Sequence, residues 1–166
     1  MEYWDIYDKD KQKTGRLMKR DDWCLKDDEY HLTALGVVRR MDGMYLIPKR
    51  AGPKLWGPGM WEVPGGGVLA GEESRDAVIR EVGEETGLDV SGCPCEYLFT
   101  YHRENPGKGD NYFVDVYRFT LDFGKEDVHL QIEETDDFML ADAEKIREMA
   151  KQGKFLHYES IREAFS

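Results

Sequence analysis

The chain has 166 residues, of which 34 are acidic and 23 are basic, and its formal net charge is −11. This length fits one domain with its own hydrophobic core, and a content of 40% hydrophobic and 12% aromatic residues indicates a folded globule. The negative charge disfavours a nucleic-acid polymer as a partner, because the phosphates would be repelled over a wide surface. A small anionic substrate is compatible with this charge if local cations or a bound metal receive it.

The N-terminal sequence contains no basic segment followed by an apolar run, and the longest apolar stretches, such as ALGVV at 34–38, are far too short to span a bilayer. We therefore expect a soluble, cytoplasmic protein that does not contact a membrane. Cys24, Cys93 and Cys95 are an odd set without a secretory context, which favours reduced thiols over a disulfide framework.

The first 50 residues are predicted to form two pairs of strands. Trp4–Tyr7 and a segment from Arg16 onward suit a hairpin with the polar turn KDKQ at its tip. His31–Arg39 and Met44–Lys49 suit a second hairpin, because the Asp-Gly pair between them is typical of tight turns.

The segment 51–71 is predicted to be mostly loop. Its sequence, AGPKLWGPGMWEVPGGGVLAG, is dense in glycine and proline, which disfavours a regular element over most of its length. MWEV, at 60–63, suits a short strand within it. A loop of this composition can pass close to a ligand.

A helix is predicted after this loop. Glu73 or Ser74 can cap its start, it runs to about Thr86, and Gly87 lies where a left-handed C-terminal residue is expected. The remaining predicted elements are the strands CEYLFTYHR and NYFVDVYRFTLDF, a strand at about Val128–Ile132, a helix from Asp142 to Gly153, and a last short helix, YESIREAF. Strands interleaved with helices over one core indicate a mixed α/β fold.

Three glutamates of the first helix share one face. At about 100° per residue around the helix axis, Glu85 lies at about +40° and Glu84 at about −60° from Glu81. Like charges at these spacings oppose helix formation by roughly 0.2 to 0.5 kcal/mol per pair. Solvent, a basic partner or a metal ion must offset this repulsion, and a solvated surface is the alternative for the three residues taken alone.

The spacing around these glutamates forms a longer motif. Gly66 is followed by five residues and Glu72, and then by seven residues and REVGEETGL, from Arg80 to Leu88. This is the pattern G-x5-E-x7-R-E-U-x-E-E-x-G-U, with U a bulky aliphatic residue, and every required position matches. The chain thus resembles the Nudix hydrolases. The resemblance implies a mixed β-sheet between α-helices in one domain, 1–166, with an N-terminal β-hairpin extension over 1–30 and the Nudix box over 66–88.

The motif also makes chemical sense. Hard divalent cations such as Mg²⁺ or Mn²⁺ prefer carboxylate, carbonyl and water oxygens, and such cations neutralise a diphosphate and activate the attacking water. The resemblance implies Glu81, Glu84 and Glu85 as metal ligands together with the Gly66 carbonyl, with Glu84 either sharing the metals or acting as the base. Glu72 is expected to link loop and helix, and Arg80 can brace the Glu84 carboxylate four residues on.

Substrate-binding candidates flank the motif. Lys49, Arg50 and Lys54 precede the glycine-rich loop, where they could meet phosphate oxygens. Some family members recruit a base from a later loop, for which Glu133, Glu134 and Asp137 are available, and a surface role for these acids is equally open. Aromatic residues that could stack on a substrate, or else belong to the core, are Trp56, Trp61, Tyr101 and Tyr112.

The expected activity is metal-dependent cleavage of a diphosphate linkage in a nucleoside diphosphate derivative or a similar small organic diphosphate. WDIYDKDKQKTGR followed by EYHLTALGVV is also similar to the N-terminal portion of isopentenyl-diphosphate isomerases, in which a histidine that His31 can match helps to bind metal. The partners of that histidine are missing here, which favours a polar strand residue over a metal ligand for His31. Those enzymes need a cysteine where this chain has WEVPGGGV, at Trp61–Val68, so hydrolysis is favoured over isomerisation. A non-catalytic ligand-binding module is a third alternative. Many relatives are dimers, which leaves a homodimer open, with the N-terminal hairpin as a contact.

Overall fold

A mixed β-sheet forms the centre of the computed structural model, which describes residues 2–52, 59–131, 133 and 135–166. The strands are β1 (Tyr3–Tyr7), β2 (Lys13–Lys19), β3 (His31–Arg39), β4 (Tyr45–Arg50), β5 (Gly65–Gly67), β6 (Cys95–Arg103), β7 (Tyr112–Thr120) and β8 (Thr135–Ala141). The helices are α1 (Ser74–Thr86), α2 (Ala143–Lys151) and α3 (Tyr158–Ile161), with 3₁₀ turns at Lys125–Asp127 and Arg162–Phe165.

The central sheet has the order β6-β7-β3-β4-β8, and β5 pairs with β3. β3 and β7 are parallel, whereas the other pairs are antiparallel. β1 and β2 form a separate antiparallel hairpin, which confirms the predicted N-terminal extension. Tyr7 at the end of β1 exchanges two backbone hydrogen bonds with Tyr30, so the hairpin is attached to the start of β3.

Helices cover both faces of the sheet. On one face, Val78 and Val82 of α1 pack with Val38 and other strand residues. On the opposite face, Ile146 of α2 packs with the neighbouring Val37, because successive strand side chains point to opposite faces. This arrangement confirms the predicted mixed sheet between α-helices. Among the described residues, no helix has the length and the apolar character required to cross a membrane.

Several predicted boundaries are confirmed. β3 covers the predicted residues, and α1 runs from Ser74 to Thr86 with Gly87 in the left-handed conformation at φ 77°. Asp142 caps α2 by accepting a hydrogen bond from the Lys145 backbone N–H at 2.8 Å. β2 begins at Lys13, earlier than predicted, and the C-terminal helix changes to a 3₁₀ turn after Ile161.

Two strand predictions were wrong. MWEV is not a strand, although Trp61 forms isolated bridges to Lys49 and Phe155. The strand of this region is instead the glycine run 65–67, predicted to be loop. It approaches β3 so closely that a Cβ on Gly65 would lie 2.3 Å from the Ala34 carbonyl oxygen. Glycine is required here for close approach of two backbones, a requirement that composition cannot distinguish from a loop.

The strand predicted at Val128–Ile132 was also placed incorrectly. Ile132 lies outside the described residues, and the described part, 128–131, is not a strand. Val128 packs in the core beside α1, and the His129 backbone N–H donates to the Thr86 carbonyl oxygen at 2.7 Å. These residues therefore close the C-terminal end of α1, while the polar segment that follows supplies β8.

Gly36 determines how closely α1 packs on the sheet. A Cβ at this position would lie 2.8 Å from Val78 Cγ2 and 2.9 Å from Val82 Cγ2. We expect Gly36→Ala to lower the free energy of unfolding by about 1 to 3 kcal/mol, because the overpacked valines must move. Denaturant titration measures this. Gly92→Ala is the control, since a Cβ there meets no described atom within 4 Å. Equal stability of the two variants would contradict the packing argument.

Candidate active site

Of the three glutamates of α1, Glu81 and Glu85 face the glycine strand β5, whereas Glu84 is exposed. A Cβ on Gly66 would lie 2.6 Å from the Glu81 carboxylate, so that carboxylate is in contact with the strand. Glu85 is buried and accepts a hydrogen bond from the Gly65 backbone N–H at 2.8 Å. The Glu84 side chain is more open, with an exposed fraction of 49% against 16% for Glu81. The structure thus brings Glu81 and Glu85 to the backbone of Gly65 and Gly66, and Glu84 is connected to this group through Arg80.

Arg80 connects most of this cluster. Its guanidinium forms two hydrogen bonds of 3.0 Å with the Glu72 carboxylate and one of 2.9 Å with Glu81. It also donates to the Gly67 carbonyl oxygen at 3.3 Å. The predicted contact with Glu84 is present as an ion pair of 3.6 Å, and it is the longest of these ion pairs. Arg80 therefore supports Glu72 and Glu81 more directly than Glu84.

The surroundings of these carboxylates shift their pKa values in opposite directions. Burial raises the pKa of Glu81, and Glu84 adds to the increase, although Arg80 opposes it. Burial would also raise the pKa of Glu72, but the hydrogen bonds from Arg80 and from the Leu69 N–H bring that pKa below its ordinary value. Hydrogen bonding to Glu72 in turn raises the pKa of Arg80. The Glu72–Arg80 pair is thus fixed in its charged form, whereas Glu81 is a partly buried carboxylate whose pKa is raised.

The donor set has the chemistry that a hard divalent cation requires. Carboxylate oxygens of α1 and the backbone of Gly66 supply oxygen ligands, and cation binding would offset the cost of ionising Glu81. Within the described ranges, no three His, Cys, Asp or Glu side chains already converge as a metal cage. Glu81 is engaged with Arg80 and Glu85 with Gly65. The assignment of Glu81, Glu84, Glu85 and Gly66 as metal ligands is therefore a prediction from the motif, supported by donor type and proximity.

A cavity of about 690 Å³ adjoins this cluster. Gly65 and Gly66 line one part of it, and the aromatic side chains of Trp23, Tyr101 and Tyr112 line another. Arg50 and Lys108 also line the cavity. Its volume is within the range of about 300 to 1,000 Å³ that is usual for small-molecule sites. One cavity therefore joins backbone of the Nudix box to an aromatic wall and to cationic side chains.

The substrate-binding candidates have different positions. Arg50 lines the cavity and forms an ion pair of 3.0 Å with Glu62. Lys49 does not line it, and its ammonium group lies 5.7 Å from the centroid of the Trp61 ring. Lys54, Trp56 and Glu134 lie outside the described residues. Glu133 and Asp137 are exposed and do not line the cavity, whereas Tyr101 and Tyr112 do.

The N-terminal extension contributes an aromatic residue, Trp23, that the sequence did not predict as part of the site. Trp23 lines the cavity with 45% of its surface exposed, and its backbone adopts a positive φ of 46°, which is rare for a bulky residue. Its carbonyl oxygen would lie 1.9 Å from a Cβ on Gly109, so that position requires glycine. A tryptophan in the polar stretch DDWCLKDD was the signal available in the sequence.

His31 and Asp110 also meet at this cavity. His31 Nε2 lies 2.9 Å from the Asp110 carboxylate, and the His31 ring stacks on Trp4 with centroids 4.4 Å apart. His31 is buried. The sequence favoured a polar strand residue over a metal ligand for His31, and the structure places it in the cavity wall.

Glu72 provides a test of the Arg80 network. The pKa of Glu72 is lowered in the folded protein, so its ionised form adds stability above its ordinary pKa, and this stability is lost as the pH falls through the lowered pKa. We expect Glu72→Gln to reduce the free energy of unfolding by about 1 to 3 kcal/mol at pH 7, and by less at pH 3. Denaturant titrations at both pH values measure the difference. Glu144→Gln, an exposed residue without a partner among those described, is the control. A loss independent of pH would contradict the argument.

A family model, two full-length relatives and a solved structure are similar to this chain. The family model described as "NUDIX domain" matches residues 29–163. An uncharacterised Nudix hydrolase of Listeria innocua is 31% identical over 166 residues, which cover 99% of this chain and 94% of that protein. Another from Listeria monocytogenes is 32% identical over 169 residues, covering 100% and 95%. A crystal structure from Deinococcus radiodurans has a TM-score of 0.75 and 20% identity, covering 92% and 91% of the two chains.

The two kinds of comparison support different conclusions. The structural likeness, at 20% identity, concerns the fold, and it agrees with a mixed sheet between helices. The family match and the full-length relatives concern descent. The chain belongs to the Nudix hydrolase family, whose members act on diphosphate-containing substrates, and this membership points to a pyrophosphohydrolase.

Proposed function

We propose that the chain hydrolyses a small organic diphosphate with the help of Mg²⁺ or Mn²⁺, and that a nucleoside diphosphate derivative is the preferred class of substrate. One observation supports this most directly. Gly66, which contacts the Glu81 carboxylate of α1, also lines the 690 Å³ cavity. The candidate metal ligands and the candidate substrate cavity therefore share a wall.

The residues would have the following roles. Glu81, Glu85 and the Gly66 carbonyl would hold the cation, which when bound neutralises diphosphate oxygens and acidifies water. Arg80 keeps Glu72 and Glu81 in place through its hydrogen bonds. Glu84, the more exposed carboxylate, accepts a proton from the attacking water. The water oxygen bonds to phosphorus as the bond from this phosphorus to the bridging oxygen breaks. The second phosphate-bearing product leaves with the bridging oxygen.

The aromatic wall supports a substrate with a planar ring. Trp23 is partly exposed in the cavity, and its ring packs edge-on against Trp4 with centroids 6.2 Å apart, so part of the ring is accessible to a planar group. Tyr101 and Tyr112 extend this surface. Lys108 lines the same cavity and has no ion pair with any described residue, which suits a phosphate oxygen. A nucleoside diphosphate combines both chemical features.

The isomerase alternative receives less support. Isomerases of this kind need a cysteine at the reaction site, and none of the described residues lining the cavity is a cysteine. Cys93 and Cys95 pack against the core on the α1 side, and Cys24 is exposed. Hydrolysis uses groups that the cavity and its wall contain.

Removal of the candidate base tests the hydrolase. We expect wild type to release phosphate from at least one class in a panel of nucleoside triphosphates, nucleotide sugars, ADP-ribose, dinucleoside polyphosphates and prenyl diphosphates, with Mg²⁺ or Mn²⁺ and not with EDTA. Glu84→Gln should lower kcat by about 10² to 10⁴ because proton acceptance is lost. Glu144→Gln should retain activity. Absence of turnover in wild type across the panel would favour the non-catalytic module, and a fully active Glu84→Gln would assign the base elsewhere.

Trp23 provides a test of the substrate class. We expect Trp23→Ala to raise KM for a nucleoside diphosphate derivative about tenfold, because stacking of a base on an aromatic ring contributes about 1 to 3 kcal/mol. Trp23→Phe should recover most of the affinity, and a prenyl diphosphate should be affected little. Steady-state kinetics measure KM and kcat separately. Tyr97→Ala is the control, since Tyr97 is an exposed aromatic residue outside the cavity lining. Equal losses for ring-bearing and ring-free substrates would contradict a stacking role.

A further inference from the structure

A second cavity, of about 530 Å³, lies between α2 and the C-terminal segment, and cationic side chains line much of it. Four of these are Arg103, Arg147, Lys151 and Arg162, which we call the basic cluster. Glu159 is the one carboxylate residue among the described lining residues. In a chain with 34 acidic and 23 basic residues, this local excess of positive charge is opposite in sign to the whole.

Two members of the basic cluster repel each other on one helix. Arg147 and Lys151 are four residues apart on α2, so they lie on the same face, where like charges oppose helix formation by roughly 0.2 to 0.5 kcal/mol. Neither side chain has an ion pair or hydrogen bond with any described residue. Acidic residues are present on the same helix, but Glu148 accepts a hydrogen bond from the Gln152 side chain instead. No ion pair with a described residue therefore neutralises either side chain.

The other two members are also weakly neutralised. Arg103 donates a hydrogen bond to the Ser160 hydroxyl and lies 5.6 Å from the centroid of the Tyr101 ring, and both partners are uncharged. Arg162 faces Glu159 at 3.8 Å, which is beyond hydrogen-bond distance, and both side chains are largely exposed. An exposed pair of this kind contributes little attraction. Most of the positive charge of the cluster thus remains available to an anion.

The basic cavity shares a wall with the candidate active-site cavity. His157 lines both, and its backbone has a positive φ of 63°, which non-glycine residues seldom adopt. Burial lowers the pKa of its imidazole below the ordinary value, and the Arg103 and Arg50 guanidinium groups lower it further. Positive charge from both cavities therefore acts on this one residue.

We propose that the basic cluster binds a small molecule through a phosphate group, at a site separate from the acidic face of α1. Guanidinium groups match phosphate oxygens with paired hydrogen bonds, and Lys151 adds a point charge. Phe155 and Tyr158 give the cavity an apolar part for the remainder of the ligand. The cavity has the size of a small-molecule site, and a polyanion extending beyond it would meet the negative charge of the rest of the protein.

Titration of the full chain with inorganic pyrophosphate in EDTA tests this proposal, because binding that depends on divalent metal is then absent. Backbone amide shifts measured by NMR show where pyrophosphate binds and how tightly. We expect saturable shifts in α2 and around Ser160, with affinity reduced at least about tenfold in Arg147→Ala/Lys151→Ala, since truncating a charge that contacts an anion weakens binding strongly. Glu85→Gln should change the affinity less than twofold.

A matched control distinguishes binding at a defined site from an effect of the protein's net charge. Lys9→Ala/Lys145→Ala removes two positive charges, and neither residue lines the basic cavity. Equal weakening in the two double variants, shifts confined to α1 and β5, or no saturation in wild type would each overturn the proposal. Tighter binding of a DNA oligonucleotide or of vesicles containing phosphatidylserine than of pyrophosphate would also overturn it, by assigning the cluster to a polymer or a membrane surface. Because no turnover is measured, failure here is distinct from failure of the hydrolase.

Discussion

The close approach between α1 and the strands beneath it is the constraint on which the candidate active site depends. A Cβ on Gly36 would collide with Val78 and Val82, and a Cβ on Gly66 would collide with the Glu81 carboxylate. Because both positions are glycine, the helix packs directly on the sheet, and its acidic face lies at the edge of the core instead of in open solvent. The same contact that buries the valines therefore places the Glu81 and Glu85 carboxylates beside the backbone of β5.

This position has an electrostatic cost, and Arg80 offsets part of it. Arg80 forms ion pairs with Glu72, Glu81 and Glu84. One guanidinium cannot neutralise three carboxylates, and the raised pKa of Glu81 shows that burial outweighs the local attraction. The remaining negative charge repels a free diphosphate. A bound cation would remove that repulsion, so the charge balance of the cluster supports the proposed metal dependence.

The sequence predicts the fold best where local signals agree. α1 has an apolar stripe, a residue that can begin the helix and a glycine that ends it, and its predicted ends match the structure. β8 was missed because Asp136 and Asp137 made the segment polar, although it pairs along β4 through Leu46 and Leu140. The glycine strand was missed because glycine serves both loops and close backbone contacts. Such contacts depend on partners distant in sequence, which local patterns do not contain.

The candidate site shows the same difference between local sequence signals and contacts of distant residues. The acidic residues and Gly66 belong to one motif of fixed spacing, so the sequence was sufficient to group them. Trp23, Lys108 and His157 come from separate parts of the chain and meet only in the folded cavity. No spacing rule connects them, and each taken alone is an ordinary surface or turn residue. Specificity in this protein is thus expected to depend on residues that the family motif does not include.

The acidic face of α1 and the basic cluster carry opposite charge and therefore favour different ligands. The acidic face of α1 attracts cations and excludes anions that arrive without them, whereas the basic cluster attracts anions directly. His157 lines both cavities. Its backbone conformation, with a positive φ, costs about 1 to 3 kcal/mol and persists only where the surroundings enforce it. His157 thus belongs to the walls of both cavities, and the guanidinium groups of Arg103 and Arg50, one from each cavity lining, both lower the pKa of its imidazole.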